Sequence, residues 1–365
     1  MSHWLKVYLV PGAVFVSVVL GGGYGTGREV VEYFTRYGMQ GGMLGITVAT
    51  AAFAVILIAT FEFARVHQAY DYRTFFQHLL GRWWWLFEIL YAGLFLLVLG
   101  VVSAAAGDMF AAQTGLRSGI GVALMLLLVV LLVLVGRDLL AGILTYWSAG
   151  MYVVFGLYLA MVLSAAEVNA LAVVATGTSE PGWVTGGLLY AFYNVAIAPV
   201  LLFTVRPLSS RGQTIGAGLL AAVMVMLPAV AFHLSYAVDV SAAIAAPLPN
   251  YLMIERYTPD WLLLLFLLAL MGTLIETGAG LVQGVVERVG SALQATSQSA
   301  ADPEQKLSRL QSGLIAAGAV ACSALLGNFG IVALIGQGYS LMAVGFALVY
   351  IAPLLIAMVR LWVRP

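Results

Sequence analysis

The stretch that decides the fold lies near the start of the chain and reads Gly21-Gly22-Gly23-Tyr24-Gly25-Thr26-Gly27. Five of these seven residues are glycine, and they interrupt an apolar segment that covers residues 7–36. A glycine in a helix interior costs about 1 kcal/mol relative to alanine. Glycines can serve close packing between helices, or they can mark a point where the helix is unwound. We favour the unwound helix, because packing alone does not require so many glycines directly before the charged pair Arg28-Glu29.

The composition indicates that lipid is the solvent of this chain. Hydrophobic residues make up 62% of the 365 residues and charged residues 9%, whereas soluble domains carry about 25% charged residues. Segments that cross about 30 Å of hydrocarbon need about 20 apolar residues, and only helices of that length satisfy their backbone in lipid. We therefore predict an all-α membrane protein with ten transmembrane helices, at about 7–36, 41–66, 84–112, 118–136, 139–164, 183–206, 213–237, 260–290, 310–327 and 335–361.

The distribution of positive charge predicts the orientation. With the N-terminus in the cytoplasm, twelve of the 16 Lys and Arg residues lie at cytoplasmic ends and three at external ends, as the positive-inside rule requires. Both termini are then cytoplasmic, and the halves of about 7–164 and 183–361 have opposite topology within one domain. Tyr193-Asn194 and Pro199 interrupt the sixth span as the glycines interrupt the first. Matching breaks in inverted halves indicate a substrate site at the bilayer midplane.

Both breaks carry a resemblance to a known family. Residues 18–34 resemble the first-span motif of the YkvI-like bacterial membrane proteins, and residues 189–194 are similar to the sixth-span motif of that family. The likeness runs over most of the chain, although Tyr24 and Gly25 replace the commoner Phe and Ala. It implies a branch of the amino acid–polyamine–organocation superfamily, with a LeuT-type 5+5 inverted repeat in which helices 1 and 6 are broken. The resemblance implies a fold more firmly than a substrate.

The predicted substrate site lies between the two breaks. The amides of residues 25–27 open the outer half-helix and suit a carboxylate or another anionic group. Asn194 can orient a substrate, because its amide both donates and accepts. Tyr190 and Tyr193 either cover a ligand or line the helix bundle, and the small residues after Ser103 leave room for a ligand or for close helix packing. The predicted substrate-binding residues are Gly22, Gly23, Tyr24, Gly25, Thr26, Gly27, Ser103, Tyr190, Tyr193 and Asn194.

Glu276 is a charge near the centre of the eighth span. Such a position costs about 2.5–3.5 kcal/mol on insertion scales, so the residue is usually functional or paired. The LeuT-type resemblance implies a sodium site of eighth-span hydroxyls and first-span carbonyls, to which Thr273 and Thr277 correspond. Glu276 is then a Na⁺ ligand, a protonatable group or the partner of Arg28 in a structural ion pair. The predicted residues for the coupling ion, Na⁺ or H⁺, are Val19, Gly22, Thr273, Glu276 and Thr277, and Na⁺ at Thr273 and Thr277 is the only cofactor predicted.

Three charged residues are predicted to take part in gating. Arg28 either clamps a substrate carboxylate or closes an external gate with an acid such as Asp108, and we favour the gate. Glu29 is interpreted as a charge at a helix start, where acids are favoured. Glu62, beside Arg65 at the inner end of the second span, is predicted to form an intracellular gate or a packing pair.

The sequence excludes several classes of function. It contains neither the H-E-x-x-H motif of zinc proteases nor a G-x-x-x-x-G-K-[ST] nucleotide loop, and its zero net charge gives no footprint for nucleic acid. We predict a non-enzymatic symporter of the bacterial cytoplasmic membrane that moves a small organic solute by alternating access. The solute is an amino acid or a related amine or carboxylate, and the predicted partners are this solute and the lipid bilayer. A passive channel and a ligand-sensing receptor of the same fold are the alternatives.

Overall fold

The computed structural model describes residues 3–135, 153–164, 168–296, 309–327 and 329–363, and within these ranges the chain forms helices and no strands. The fifth predicted span up to residue 152 lies outside the described residues, as do Arg137, Lys306 and Arg364 of the charge distribution. The α-helices are α1 (Val10–Val19), α2 (Gly22–Gly25), α3 (Arg28–Tyr33), α4 (Met39–His67), α5 (Tyr72–Leu80), α6 (Trp85–Thr114), α7 (Ser118–Val135), α8 (Val153–Ser164), α9 (Ala170–Thr176), α10 (Trp183–Asn194), α11 (Arg211–Ser235), α12 (Val240–Ala245), α13 (Pro249–Tyr257), α14 (Asp260–Thr296), α15 (Arg309–Gly327), α16 (Ile331–Ala333), α17 (Ser340–Phe346) and α18 (Ala352–Val363).

Apolar helices occupy all ten predicted windows. Five helical segments are long and apolar enough to cross a membrane by length and composition: Met39–His67, Trp85–Thr114, Arg211–Val238, Asp260–Val282 and Ile331–Leu361. Four shorter apolar helices fall in other windows: Leu5–Val19, Ser118–Leu132, Val153–Ser164 and Gly313–Gly327. The sixth window contains α10 and a 3₁₀ helix at Val195–Val205. Large apolar side chains are exposed along the outer face of α14, including Leu264 and Leu268, as expected for a helix that contacts lipid.

The first and sixth spans pack against each other as inverted partners. The inner half α1 contacts the 3₁₀ helix of the sixth span, and the outer half α3 contacts α10. The short α2 between the two halves packs against α14 and α6, the eighth and third spans. The break in the first span therefore faces the eighth span, which carries the predicted cation residues.

The break in the first span is built around Gly27. This residue caps α3 in the left-handed conformation, with φ of 81°, which glycine adopts without steric cost. A methyl group on Gly27 would overlap the Tyr236 hydroxyl and lie 2.6 Å from Asn250 Oδ1. The glycine is required both by the backbone conformation and by the close approach of these two side chains.

The break in the sixth span is a change of helix type. The α-helix ends at Asn194 and continues as an 11-residue 3₁₀ helix that contains Pro199. Proline lacks an amide donor for the α-helical pattern, and 3₁₀ runs longer than about four residues are uncommon. The polar side chain of Asn194 is thereby placed where the two types of helix meet.

Candidate substrate and cation site

A cavity of about 320 Å³ lies beside the break in the first span. Its wall includes the end of the inner half-helix, residues 18–21, together with side chains of the third, sixth, eighth and tenth spans. The predicted site residues that line it are Val19, Tyr193, Asn194, Thr273, Glu276 and Thr277. Residues that are far apart in the sequence thus meet at one place in the bundle, which we call the central cavity.

The break in the first span lies close to the hydroxyls of the eighth span at the central cavity. A methyl group on Gly21 would lie 3.2 Å from Thr277 Oγ1, so the break and the threonine are in close contact. Thr273 Oγ1 donates to the carbonyl of Ala269 at 2.8 Å, which leaves its lone pairs as acceptors. Hydroxyls, backbone carbonyls and the Glu276 carboxylate are the hard oxygen ligands that fit a cation such as Na⁺. The described residues hold no group of three His, Cys, Asp or Glu side chains that could bind a metal ion.

Glu29 is a second carboxylate in the central cavity, and sequence reasoning missed it. Its side chain lines the cavity, is only 5% exposed and accepts a hydrogen bond from the Tyr193 hydroxyl. The interpretation of Glu29 as a helix-start charge describes its place in α3 but not its direction. No ion pair among the described residues includes Glu29.

Aromatic side chains of α10 surround the carboxylate of Glu29. The Tyr193 ring stacks on that of Tyr339, with ring centroids 4.6 Å apart. Tyr190 packs edge-on against Tyr193 and Phe34. The hydroxyls of Tyr190 and Tyr24 are buried without a hydrogen-bond partner among the described residues. Tyr190 and Tyr24 lie behind the cavity wall and do not line it.

Asn194 faces the central cavity while its amide Nδ2 donates to the carbonyl of Tyr190 at 3.0 Å. This bond holds the side chain against its own helix and directs its acceptor oxygen elsewhere. The geometry is compatible with an orienting role, in which the oxygen receives a donor from a ligand.

The segment of residues 25–27, whose amides are predicted to bind an anionic group, is contacted through its carbonyls by Asn250 of α13. Asn250 donates from its backbone to the carbonyl of Thr26 at 3.1 Å and from its side chain to that of Gly25 at 3.0 Å. The Gly27 amide donates to the carbonyl of Tyr24 at 2.9 Å. These residues lie outside the described lining of the cavity, because α13 packs into the break from its outer side. Gly22 and Gly23 belong to α2. Ser103 is outside the described lining, and its hydroxyl donates to the carbonyl of Leu99.

Arg28 belongs to a separate outer cavity of about 720 Å³, which Glu32, Arg36 and Asp108 also line. Its guanidinium donates to Glu32 Oε2 at 2.7 Å and to the carbonyls of Ile244 and Ala246. Glu32 also pairs with Arg36. The predicted gate partner Asp108 shares this outer cavity, but the ion pair of Arg28 is made with Glu32, because residues four apart share a helix face. Arg28 lines the outer cavity and Glu276 the central one, an arrangement that does not support an ion pair between them.

Glu62 lies at the opposite end of the bundle. Its carboxylate accepts from both Nε and Nη2 of Arg65, at 2.9 and 2.7 Å, and from Thr214 Oγ1 at 3.0 Å. Thr214 belongs to α11, so this cluster joins the second and seventh spans at their predicted cytoplasmic ends. The geometry is compatible with both predicted roles, a gate and a packing pair.

Comparison with known proteins supports the fold. No family model matches the chain, and no curated protein matches it. Its structure is similar to the substrate-bound, outward-open state of a Na⁺-coupled sialic acid symporter, with 14% identity and a TM-score of 0.63 over 93% of this chain and 78% of that one. It is also similar to a variant of the manganese transporter of Eremococcus coleocola, with 15% identity and a TM-score of 0.56 over 97% of this chain and 80% of that one.

These likenesses, at such low identity, concern the fold alone. The chain is an all-α integral membrane protein with the predicted LeuT-type architecture, and this prediction is confirmed. Both similar structures are transporters.

Proposed function

We propose that the protein is a secondary active transporter that carries a small organic solute through the central cavity by alternating access, driven by Na⁺ or H⁺. The observation that carries this proposal is the meeting of two carboxylates, Glu29 and Glu276, at a broken helix inside an apolar membrane protein. Buried charges are expensive unless they are paired or protonated. The described hydrogen bond to the Glu29 carboxylate comes from a neutral phenol, and a cycle in which cations enter and leave the cavity gives this carboxylate a charged partner in turn.

The dimensions of the central cavity support a small solute. Its volume of about 320 Å³ lies at the lower end of the range for ligand pockets, about 300–1,000 Å³. Asn194, the Tyr193 hydroxyl and the two carboxylates supply polar groups beside apolar side chains such as Leu94 and Ile197. These features fit an amino acid or a related amine or carboxylate, the class that the resemblance to the YkvI-like proteins and their superfamily also suggests.

Glu276, Thr273 and Thr277 are proposed to bind the coupling ion with the carbonyls of the break. If the ion is Na⁺, Val19, Gly22 and the two hydroxyls are its oxygen ligands and Glu276 balances its charge. If the ion is H⁺, Glu276 carries it. In both cases occupancy of this site links the first span to the eighth, and these two spans must move relative to each other during alternating access.

Two hydrogen-bonded clusters are proposed to close the pathway at its ends. The outer cluster of Arg28, Glu32 and Arg36 lies beside the external helices, and the inner cluster of Glu62 and Arg65 lies at the cytoplasmic end. Each can exchange its internal bonds for water when its side opens. The distribution of Lys and Arg supports an orientation with both termini in the cytoplasm, and the resemblance to the YkvI-like bacterial proteins suggests the bacterial cytoplasmic membrane.

The experiment that tests the proposal begins with the purified protein and a thermal-shift screen of amino acids, amines and nucleobases in sodium and in choline buffers. A ligand stabilises the state it binds by mass action, and dependence on sodium identifies the coupling ion. Uptake of a stabilising compound into proteoliposomes is then measured. The proposal predicts accumulation against a concentration gradient. Downhill flux alone would indicate a channel, and binding without flux a receptor.

Glu276→Gln tests the coupling site in the same proteoliposomes. Loss of the carboxylate should abolish accumulation or uncouple it from the ion gradient, while the variant stays folded. Glu180→Gln, the same change at an exposed loop position, is the control and should transport normally. Normal gradient-driven accumulation by Glu276→Gln would contradict the proposed role.

A further inference from the structure

The charged side chains in the described lining of the central cavity are both acidic. Two carboxylates, Glu29 and Glu276, line it, and its described lining includes no Lys, Arg or His. Arg28 follows the break directly, but its guanidinium is directed to Glu32 and to two backbone carbonyls at the outer cavity. The electrostatic environment of the cavity therefore favours a positively charged occupant.

Glu29 is the group that such an occupant would meet. Its side chain is almost completely buried, and the hydrogen bond to this carboxylate in the described structure comes from a neutral phenol, that of Tyr193. A cationic donor adds the attraction between opposite charges to the hydrogen bond, which a neutral donor does not supply. An ammonium group in the cavity supplies that donor.

A carboxylate group on the occupant finds no comparable partner. The amides that could receive it, at residues 25–27, lie outside the described cavity lining. The Gly27 amide donates to the carbonyl of Tyr24, and Asn250 covers the break from the outside. A carboxylate in the central cavity would instead face Glu29 and Glu276, and juxtaposed like charges disfavour binding.

The rest of the cavity wall suits an apolar body with an attached cation. Leu94, Phe95, Val98, Ile197 and Leu281 contribute to it. The stacked rings of Tyr193 and Tyr339 lie on the side of Glu29. Aromatic faces attract ammonium groups, so the carboxylate and the rings favour the same chemical group.

From this geometry we infer that the substrate is a small amine cation with an apolar body and without a carboxylate, and that its ammonium group pairs with Glu29. This inference rests on the proposed function, and it narrows the proposed substrate class from amines and carboxylates to amines alone. Glu276, with the two threonines, remains the site of the coupling ion.

Three probes with one branched alkyl skeleton test the inference: isopentylamine, leucine and 4-methylpentanoate. They carry an amine, an amine with a carboxylate, and a carboxylate alone. Binding to the purified full chain is measured by titration calorimetry at pH 7 in sodium buffer. Because like charges oppose the carboxylate, isopentylamine should bind at least about 10-fold more tightly than leucine, and 4-methylpentanoate should not bind. Phenethylamine serves as a second amine with a larger apolar body.

Glu29→Gln should weaken amine binding by about 10- to 100-fold, as expected when one partner of a buried charge pair is removed. Glu29→Asp keeps the charge and should retain most of the affinity for amines. This variant shows whether the loss in Glu29→Gln comes from the missing charge or from misfolding. Glu180→Gln is the exposed control and should bind amines like the wild type. Equal amine binding by Glu29→Gln and the wild type would overturn the inference.

The remaining outcomes separate the inference from the proposed function. Leucine or 4-methylpentanoate binding as tightly as the amine, or failure of both amines to bind, would overturn the inference. Gradient-driven uptake of leucine in that case would leave the proposed transport intact. Amine binding that needs Glu29 but is never followed by flux would support the inference and contradict transport.

Discussion

Arg28 and Glu29 are neighbours in α3, yet they belong to two regions that neutralise charge in different ways. In the outer region, Glu32 forms ion pairs with both Arg28 and Arg36. The Nη1 atom of Arg28 donates to the backbone carbonyls of Ile244 and Ala246. In the central cavity, Glu29 has a phenol as its described hydrogen-bond partner. In the outer region each described carboxylate and guanidinium of the cluster has an oppositely charged neighbour, whereas we propose that the charge of Glu29 in the central cavity is balanced by a cation from outside the protein.

The geometry of one helix turn separates the two regions. Consecutive residues of an α-helix are about 100° apart around its axis, while residues four apart share a face. Arg28 and Glu32 therefore share the outer face, and Glu29 lies on the next face, toward the cavity. Gly27 precedes Arg28 and caps α3 in the left-handed conformation, and it thereby sets the direction in which the first residues of α3 point.

Arg28→Ala is expected to have the largest effect on stability. Glu32 would lose its buried partner, and the removal of one partner of a buried pair costs about 3–5 kcal/mol. Thermal unfolding in detergent should show a large fall in Tm, while the affinity of the folded fraction for amines changes little. An unchanged Tm would mean that the outer charges do not form a closed cluster.

Asn250→Ala is expected to have the second-largest effect on stability. The side chain donates to the carbonyl of Gly25 and accepts from the hydroxyls of Tyr236 and Tyr158, and a buried polar group left without a partner costs about 1–3 kcal/mol. The variant should unfold at a clearly lower temperature than Asn169→Ala, an exposed helix cap whose loss costs about 1 kcal/mol. Similar unfolding temperatures for the two variants would contradict a stabilising role of Asn250 at the break.

Much of this arrangement was predictable, because it follows from local composition. The apolar windows predicted the spans, and the glycines and Pro199 predicted the two breaks. Glu276 was predicted from its charge within an apolar span, and Val19 from the carbonyls that the break exposes, whereas Thr273 and Thr277 were implied by the LeuT-type resemblance; the structure places all four at one cavity. Gly22 completes the predicted set and belongs to α2.

The parts that were missed depend on rotation and on long-range contacts. Acids are favoured in the first turn of a helix, and this is a sufficient local reason for Glu29 beside Arg28. Nothing in the sequence therefore marked Glu29 as a cavity residue. The contact between Asn250 and Gly25 joins positions far apart in the chain, and no local pattern predicts it. The prediction of an anion site at residues 25–27 did not include the packing of Asn250 against this segment.

Tyr193 and Tyr190 provide a smaller comparison within one helix. Tyr193→Phe removes the hydrogen bond to Glu29, and hydrogen bonds to charged groups contribute about 1.5–3 kcal/mol. Tyr190→Phe removes a buried hydroxyl that has no partner in the described residues, so its effect on the free energy of unfolding should be within about 0.5 kcal/mol, or stabilising. Titration calorimetry should show a loss of amine affinity for Tyr193→Phe and none for Tyr190→Phe. Equal effects of both changes would argue against a special environment at Glu29.

The most direct test of the account is a current measurement on proteoliposomes adsorbed to a solid-supported membrane. A jump in isopentylamine concentration in sodium buffer should produce a transient positive current with the wild type and with Glu180→Gln. The double variant Glu29→Gln/Glu276→Gln should produce none, because no carboxylate remains in the central cavity to receive a cation. A current of wild-type size in the double variant would contradict the claim that these two carboxylates form the cation site of the transporter.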